Sequence, residues 1–210
     1  MILYWLGWTF FKVIFSIFYR RGIIGLENLP KTGSYILAAN HQSYADPPLV
    51  GTCINKPIYY IAKKELFDIP VFGWIIKHTN AFPVDRENAD ISAFKNAVKV
   101  LTSETSNGIL LVFPEGTRYE ESGLGKGKRG PVFIALSGKV PLLPAGIAGT
   151  DRALPKKTKI PKPIHIVIVF GKPFKPWEIL NPKDKAFLNN VTDYLMNEVE
   201  KCHEQAKERL

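Results

Sequence analysis

Short apolar runs alternate with longer segments of helical spacing along most of the chain, and this alternation constrains the fold more than any other feature. Short apolar runs of this kind are typical of strands. Strands are predicted at Tyr35–Ala39, Pro57–Ala62, Asn80–Val84, Gly108–Phe113, Val140–Ile147 and Ile164–Phe170. Helices are predicted near Pro47–Ile54, Pro70–His78, Ala89–Ser103, Gly130–Gly138 and Pro182–Arg209. The pattern predicts an α/β fold with a mixed or mostly parallel sheet flanked by helices.

The first 19 residues are apolar and aromatic, with one charge at Lys12. As a helix, Thr9, Lys12, Ser16 and Tyr19 would form one narrow polar stripe on an otherwise apolar surface. That pattern favours a helix lying in one leaflet of a membrane. The alternative is a buried core helix. We therefore predict a membrane-associated N-terminal helix in residues 1–22 and one further domain in residues 23–210, because no repeat or long linker divides the remainder.

The composition narrows the classes of partner. Lysine and arginine number 28 against 19 acidic residues, a net charge of +9 that suits an anionic membrane surface, a phosphorylated small molecule or nucleic acid. Basic and aromatic residues do not interleave on a strand platform, so nucleic acid is not an expected partner. Cys53, Cys202 and the four histidines are scattered, so neither a disulfide framework nor a metal site is predicted.

His41 and Asp46 are five residues apart, directly after the strand predicted at 35–39. A turn between them can bring the carboxylate to one ring nitrogen of the histidine, which fixes the tautomer and leaves the other nitrogen to accept a proton. Asp46 also precedes Pro47, which is typical of a helix N-cap. The simpler interpretation is therefore that Asp46 only caps a helix and His41 only bonds to the backbone.

A second polar segment, Phe113 to Arg118, follows the strand predicted at 108–113. Strand ends are the places where α/β proteins bind ligands. Arg118 offers a planar fork for two phosphate oxygens, and Thr117 adds a hydroxyl donor. Glu115 is expected to orient Arg118 or to accept a bond from a substrate hydroxyl. The alternative is a plain turn with a surface ion pair.

Further basic residues lie near two other predicted loops. Arg86 closes the strand predicted at 80–84, and Lys126, Lys128 and Arg129 lie among glycines. Such a loop either cradles a phosphate or is a mobile solvated segment. No GxxxxGK[ST] pattern is present, so nucleotide hydrolysis is not predicted.

Taken together, these segments resemble the glycerolipid acyltransferase family that includes the 1-acylglycerol-3-phosphate acyltransferases. Asn40 to Asp46 resembles the family's NHxxxxD motif, Phe113 to Arg118 is its FPEGTR motif, Val140 to Ala145 is similar to its proline-flanked strand, and Lys63 to Leu66 resembles a basic element. Asn80 to Arg86 lies where a second motif supplies an arginine. It departs from the usual pattern of a glycine and an aliphatic or aromatic residue before that arginine.

The resemblance implies that His41, oriented by Asp46, takes the proton of an acceptor hydroxyl, which then attacks the thioester of acyl-CoA or acyl-carrier protein. The implied acceptor is the sn-2 hydroxyl of 1-acylglycerol 3-phosphate, and the product is phosphatidate. The residues implied to hold the glycerol phosphate are Arg86, Glu115, Gly116, Thr117 and Arg118. Supporting roles are implied for Asn40, Lys64, Lys128, Arg129 and Pro144. No cofactor or metal is expected, and the expected place of action is the cytoplasmic face of a membrane.

Three alternatives stay open at this point. The acceptor could be glycerol 3-phosphate or a lysophospholipid with a larger head group. The chain could be a non-catalytic peripheral protein that binds anionic lipid, or a hydrolase in which the same pair activates water.

Overall fold

A sheet of seven strands lies at the centre of the fold in the computed structural model, which describes residues 2–85, 90–103, 107–119, 123–153, 163–179 and 185–210. The strands are β1 (Arg20–Ile24), β2 (Tyr35–Ala39), β3 (Ile58–Lys63), β4 (Ala81–Val84), β5 (Ile109–Val112), β6 (Leu142–Ala148) and β7 (His165–Phe170). Their order is β1-β7-β6-β2-β5-β3-β4. The five strands from β6 to β4 are parallel, whereas β7 and β1 run antiparallel to them. The predicted α/β fold with a mostly parallel mixed sheet is confirmed.

Helices cover both faces of this sheet. They are α1 (Ile2–Phe18), α2 (Asp46–Cys53), α3 (Phe72–His78), α4 (Ile91–Thr102), α5 (Gly130–Gly138), α6 (Thr150–Ala153), α7 (Pro176–Ile179) and α8 (Phe187–Lys207). Alternate residues of β2 divide the core, because successive side chains of a strand point to opposite faces. Tyr35 and Leu37 pack with α1 and α2, and Ile36 and Ala38 pack with α4, α5 and α8.

The predicted elements lie within a few residues of the observed ones, and the helix at 130–138 matches at both ends. Asp90 caps α4 by accepting a hydrogen bond from the backbone N–H of Ala93 at 2.9 Å. Strand β1 and the short helices α6 and α7 were not predicted, and the expected boundary after residue 22 falls inside β1.

Helix α1 packs on the domain through one side only. Tyr4 and Phe15 are buried, and the indole N–H of Trp8 donates to the carbonyl oxygen of Gly51 at 3.0 Å. The opposite side is exposed and apolar, and it carries Ile2, Leu6, Phe10, Val13 and Ile17. No helix in the described part of the chain is both long and apolar enough to cross a bilayer. The exposed apolar side shows that α1 is not a buried core helix.

Candidate active site

The parallel topology gathers the predicted site residues at one edge of the sheet. Strands β2, β3, β4 and β5 all end there, because parallel strands end at the same edge. His41 follows β2, Lys64 follows β3, Asp85 follows β4 and Phe113 follows β5. Segments that are far apart in sequence therefore meet at this edge.

His41 and Asp46 form the contact that their spacing predicts. The imidazole Nδ1 of His41 lies 2.8 Å from Oδ2 of Asp46, whose side chain is fully buried. The same oxygen accepts hydrogen bonds from the backbone N–H groups of Gln42 at 2.7 Å and Ser43 at 2.8 Å. Because the carboxylate accepts, Nδ1 carries the hydrogen and Nε2 keeps the lone pair that can take a proton.

Asp46 is not the N-cap that its position before Pro47 indicated. It is the first residue of α2, Ala45 occupies the cap position, and no side chain caps the helix. The carboxylate turns back to the preceding loop and bonds to His41, Gln42 and Ser43 there. Three donors on one oxygen outweigh a single capping bond, which decides where the side chain points.

Phe113 holds the histidine ring from the side of β5. Its ring stacks on the imidazole of His41 with centroids 4.0 Å apart and an angle of 17° between the planes. No role was predicted for this side chain from the sequence. Its position as the last apolar residue before a polar segment was the available signal. The stacking leaves the imidazole little freedom to rotate away from Asp46.

Glu115 is a buried link between two loops. Its Oε1 accepts from the backbone N–H of His41 at 2.9 Å, and its Oε2 accepts from the N–H of Gly125 at 2.8 Å. Burial raises the pKa of this carboxyl, while the two N–H bonds and the nearby His41 act in the opposite direction. Two roles were expected for Glu115. These hydrogen bonds do not orient Arg118, and a bond from an acceptor hydroxyl to Glu115 stays a prediction.

Arg118 lies beside the loop that holds the dyad. Its guanidinium carbon is 3.6 Å from the ring centroid of Tyr44, a largely exposed residue between His41 and Asp46. The next residue, Tyr119, donates its backbone N–H to the carbonyl oxygen of His41 at 2.8 Å. Tyr44 was missed in the sequence analysis, because only the fold brings its ring under Arg118.

The glycine-rich basic loop also reaches this edge. The backbone N–H of Lys128 donates to Pro114 at 2.9 Å, and the Lys128 side chain crosses Gly116, where an added Cβ would lie 2.8 Å from Lys128 Nζ. Gly116 has a φ of 70°, which suits a residue without a side chain. Thr117 is exposed beside it. Arg129 is exposed at the start of α5.

The side chain of Asn40, just after β2, makes the hydrogen bonds that the backbone of a strand residue would otherwise make. Its amide oxygen accepts from the N–H of Ile147 at 2.7 Å, and its amide nitrogen donates to the carbonyl oxygen of Ile147 at 2.9 Å. The pairing of β2 with β6 therefore continues through a side chain while the backbone turns away toward His41. Pro144 supports the same strand from within the sheet, buried opposite Ala38, with its carbonyl accepting from Gly171 at 2.8 Å.

Lys64 forms a 2.5 Å ion pair with Asp85, which ties the end of β3 to the end of β4. Arg86 follows Asp85 and lies outside the described residues. Within those residues, no group of three histidine, cysteine, aspartate or glutamate side chains is placed to hold a metal ion.

Comparison with known proteins places the chain in a family. The model of a family described as Acyltransferase matches residues 20–148, which include all the motif segments named above. The chain belongs to the acyltransferase family. It is an enzyme of this type, and the resemblance read from its motifs is confirmed.

Individual relatives agree with the family match. The 1-acyl-sn-glycerol-3-phosphate acyltransferase of Bacillus subtilis (strain 168) is 35% identical over 187 residues, which is 88% of each chain. The enzyme of that name from Streptococcus pneumoniae is 31% identical over 178 residues, 83% of this chain and 62% of the relative. The crystal structure of the 1-acyl-sn-glycerophosphate (LPA) acyltransferase PlsC from Thermotoga maritima superposes with a TM-score of 0.80 at 29% identity, over 97% of this acyltransferase and 79% of PlsC.

Proposed function

We propose that this acyltransferase moves a fatty acyl group from acyl-CoA or acyl-carrier protein to the sn-2 hydroxyl of 1-acylglycerol 3-phosphate, which forms phosphatidate. The observation that carries the proposal is the 2.8 Å contact of His41 Nδ1 with the buried Asp46 carboxylate, at the edge where Arg118 also lies. The names of the relatives support the acceptor.

His41 acts as the general base in the proposed mechanism. Nε2 removes the proton of the acceptor hydroxyl while the oxygen attacks the thioester carbonyl. Collapse of the tetrahedral intermediate forms the ester, breaks the carbon–sulfur bond and returns the proton from the imidazolium to the leaving thiolate. Asp46 holds the ring and stabilises its charged form. A base placed in this way contributes about 10²–10⁴-fold to the rate.

The acceptor's phosphate is bound by the cationic groups beside the dyad. Arg118 supplies a planar fork for two oxygens, and Lys128 supplies a point charge over Gly116. The proposed site also includes Arg86, Thr117 and the backbone at Gly116. Acyl transfer requires no metal or cofactor in this scheme, because the thioester is already activated.

Helix α1 attaches the enzyme to the cytoplasmic face of a membrane in this proposal. Its outward side carries Ile2, Leu6, Phe10, Val13 and Ile17, and Arg20 and Arg21 follow it, which suits insertion into one leaflet with basic groups at the anionic surface. Attachment there keeps the lipid acceptor close to the site. Cys53 and Cys202 are free thiols, which agrees with a reducing compartment.

The proposal is tested with purified enzyme in phospholipid vesicles and a labelled acyl-CoA or acyl-carrier protein. Three acceptors are compared: 1-acylglycerol 3-phosphate, glycerol 3-phosphate and monoacylglycerol, which lacks the phosphate. Labelled phosphatidate from the first, exceeding the product from the other two, is the expected result. Free fatty acid in place of acylated lipid would identify a hydrolase. No turnover of any donor by a folded, vesicle-bound protein would support the lipid-binding alternative.

A further inference from the structure

A second exposed apolar surface lies between β3 and β4. The segment Ile69–Ile75, named here the tip segment, comprises the loop before α3 and the first turns of that helix. Val71 is 74% exposed and Trp74 is 55% exposed, and Ile69, Phe72 and Ile75 are exposed beside them. The sequence has no charged residue between Asp68 and Lys77. A contiguous exposed apolar patch of this kind marks an interaction site.

The backbone of the tip segment is strained in a way that keeps Val71 in solvent. The N–H of Phe72 donates to the carbonyl oxygen of Pro70 at 2.6 Å, and Val71 between them has φ 63° and ψ −56°. This is a γ-turn of the rare, strained type, and a positive φ is especially unfavourable for a β-branched residue. Burial of the Val71 side chain does not offset the strain, so an external contact is the natural candidate to do so.

The tip segment lies near the edge of the sheet that carries His41. It begins five residues after Lys64, at the carboxyl end of β3. Crossovers between parallel strands are right-handed, and the crossovers from β2 to β3 and from β3 to β4 step in the same direction across the sheet. Helices α2 and α3 are therefore on the same face, the face that also carries α1.

The exposed apolar surface of α1 continues toward α3. An added Cβ on Gly7 of α1 would lie 3.7 Å from the Thr79 side chain, which directly follows α3. Leu3, Gly7 and Phe10 recur at helical spacing, so this side of α1 is apolar. The polar stripe of Thr9, Lys12 and Ser16 lies on the other flank. No polar strip on α1 therefore separates its outward apolar side from α3.

The far end of α1 lies on the other side of His41. Helix α1 ends at Phe18 and leads into Arg20, which pairs with His165 at the start of β7. Because β7 is antiparallel to β6, the start of β7 lies at the carboxyl end of β6. The edge of the sheet that carries His41 is named here the site edge. At this edge, the end of α1 lies on one side of the end of β2 and the tip segment lies on the other.

We propose that the tip segment is a second bilayer-inserting element and that it and α1 together seat the site edge on one leaflet. This inference rests on the proposed attachment through α1 and extends it. The charge around the patch favours a bilayer as the occupant, because Lys77 follows the tip segment and Arg20 and Arg21 follow α1, and basic residues beside apolar ones suit an anionic membrane surface. Trp74, whose ring lies 4.6 Å from that of His78, suits the boundary between acyl chains and head groups.

The test is sedimentation of the full-length enzyme with vesicles of phosphatidylcholine and phosphatidylglycerol. The variants are Val71→Asp and Trp74→Glu in the tip segment and Leu6→Asp on the outward side of α1. The matched control is Ile91→Asp at the start of α4, because Ile91 is 65% exposed and α4 packs on the opposite face of the sheet. Aspartate tolerates a positive φ better than valine, so Val71→Asp is expected to fold at least as well as the wild type.

We expect Val71→Asp and Trp74→Glu each to lower the vesicle partition coefficient roughly ten-fold, because an apolar contact with the acyl chains is exchanged for a charge. Ile91→Asp should bind as the wild type does. With acceptor dissolved in detergent micelles, the tip variants should keep wild-type turnover, which separates loss of attachment from loss of catalysis.

Wild-type partition of both tip variants would overturn the inference. If Leu6→Asp bound weakly in the same experiment, the attachment through α1 would still stand. A changed acyl-chain preference with unchanged vesicle binding would instead assign the tip segment to the acyl chain of a substrate. If the wild type were a dimer and Val71→Asp a monomer, the tip segment would instead bind a second copy of the chain.

Discussion

At the residue scale, one carboxylate oxygen organises the proposed dyad. Oδ2 of Asp46 accepts from the imidazole of His41 and from the backbone N–H groups of Gln42 and Ser43, so the loop folds around a single acceptor. The five-residue spacing of His41 and Asp46 is compatible with the contact between their side chains, but other conformations of the loop are compatible with it too. The stacking of Phe113 on His41 and of Arg118 on Tyr44 could not be predicted, because each joins residues about 70 positions apart that only the sheet brings together.

Asp46→Asn tests the orienting role of the carboxylate. An amide retains an acceptor for the Gln42 and Ser43 N–H groups, but it no longer stabilises the imidazolium and can favour the wrong tautomer. The turnover number is expected to fall by about 10²–10⁴-fold, with a melting temperature close to that of the wild type. Steady-state kinetics and thermal unfolding of the same preparation measure both quantities. Wild-type turnover would remove Asp46 from the mechanism.

Tyr44→Ala tests whether the ring positions Arg118 for the acceptor phosphate. Without the ring, the guanidinium loses a cation–π contact and samples more conformations. The KM for 1-acylglycerol 3-phosphate should rise by about two- to five-fold, with a smaller effect on kcat. Tyr44→Phe keeps the ring face and serves as the matched control, with KM near the wild-type value. Equal KM values in Tyr44→Ala and the wild type would show that Arg118 does not need this platform.

At the scale of the elements, the strands that are buried were predicted from the sequence, whereas a charged edge strand and two short helices were not. Strands β2, β5 and β6 are fully buried, and their uncharged runs were recognised. Strand β1 was missed because it begins with Arg20 and Arg21, and an edge strand tolerates such charges. Helices α6 and α7 span four residues each, which is too short for a helical period to be recognised.

Close packing of α8 on β6 depends on Gly146. A Cβ at this position would collide with the backbone of Cys202 and His203 in α8, and a backbone cannot move aside as a side chain can. Gly146→Ala is expected to lower the free energy of unfolding by about 3 kcal/mol. The control is Gly130→Ala at the start of α5, where an added Cβ meets nothing within 4 Å. Chemical denaturation measures both variants, and equal stability of the two would contradict the packing described.

At the scale of the whole molecule, the order of the strands creates the site. Residues from the ends of β2, β3, β4 and β5 meet at one edge, and α8 on the other side of the sheet holds β6 against the end of β2. His203 of α8 donates from Nδ1 to the carbonyl oxygen of Ile147 at 2.8 Å, and Ile147 is the residue that pairs with Asn40. The motifs predicted the residues of the candidate site. A parallel sheet predicts that these residues lie at one edge. The contact of α8 with β6, which supports that edge, could not be predicted from the sequence.

The buried His203 predicts a pH dependence of stability. Burial lowers its pKa from 6.5 in the folded protein and Lys207 acts in the same direction, while the hydrogen bond to the Ile147 carbonyl and the charges of Glu204 and Asp151 oppose the shift. Between the lowered value and about 6.5 the unfolded chain therefore binds more protons. The free energy of unfolding should fall as the pH decreases below about 6.5, and less so in His203→Asn. Urea unfolding across this range measures it, and parallel profiles for the two proteins would contradict the prediction.

The proposed role of His41 as the base of an acyl transfer is tested by product formation in the wild type beside His41→Ala. Both proteins are purified, shown to be folded and bound to vesicles, and given labelled acyl donor with 1-acylglycerol 3-phosphate. We expect phosphatidate from the wild type and a rate at least about 10²-fold lower from His41→Ala. Phosphatidate formed by His41→Ala at the wild-type rate would contradict it.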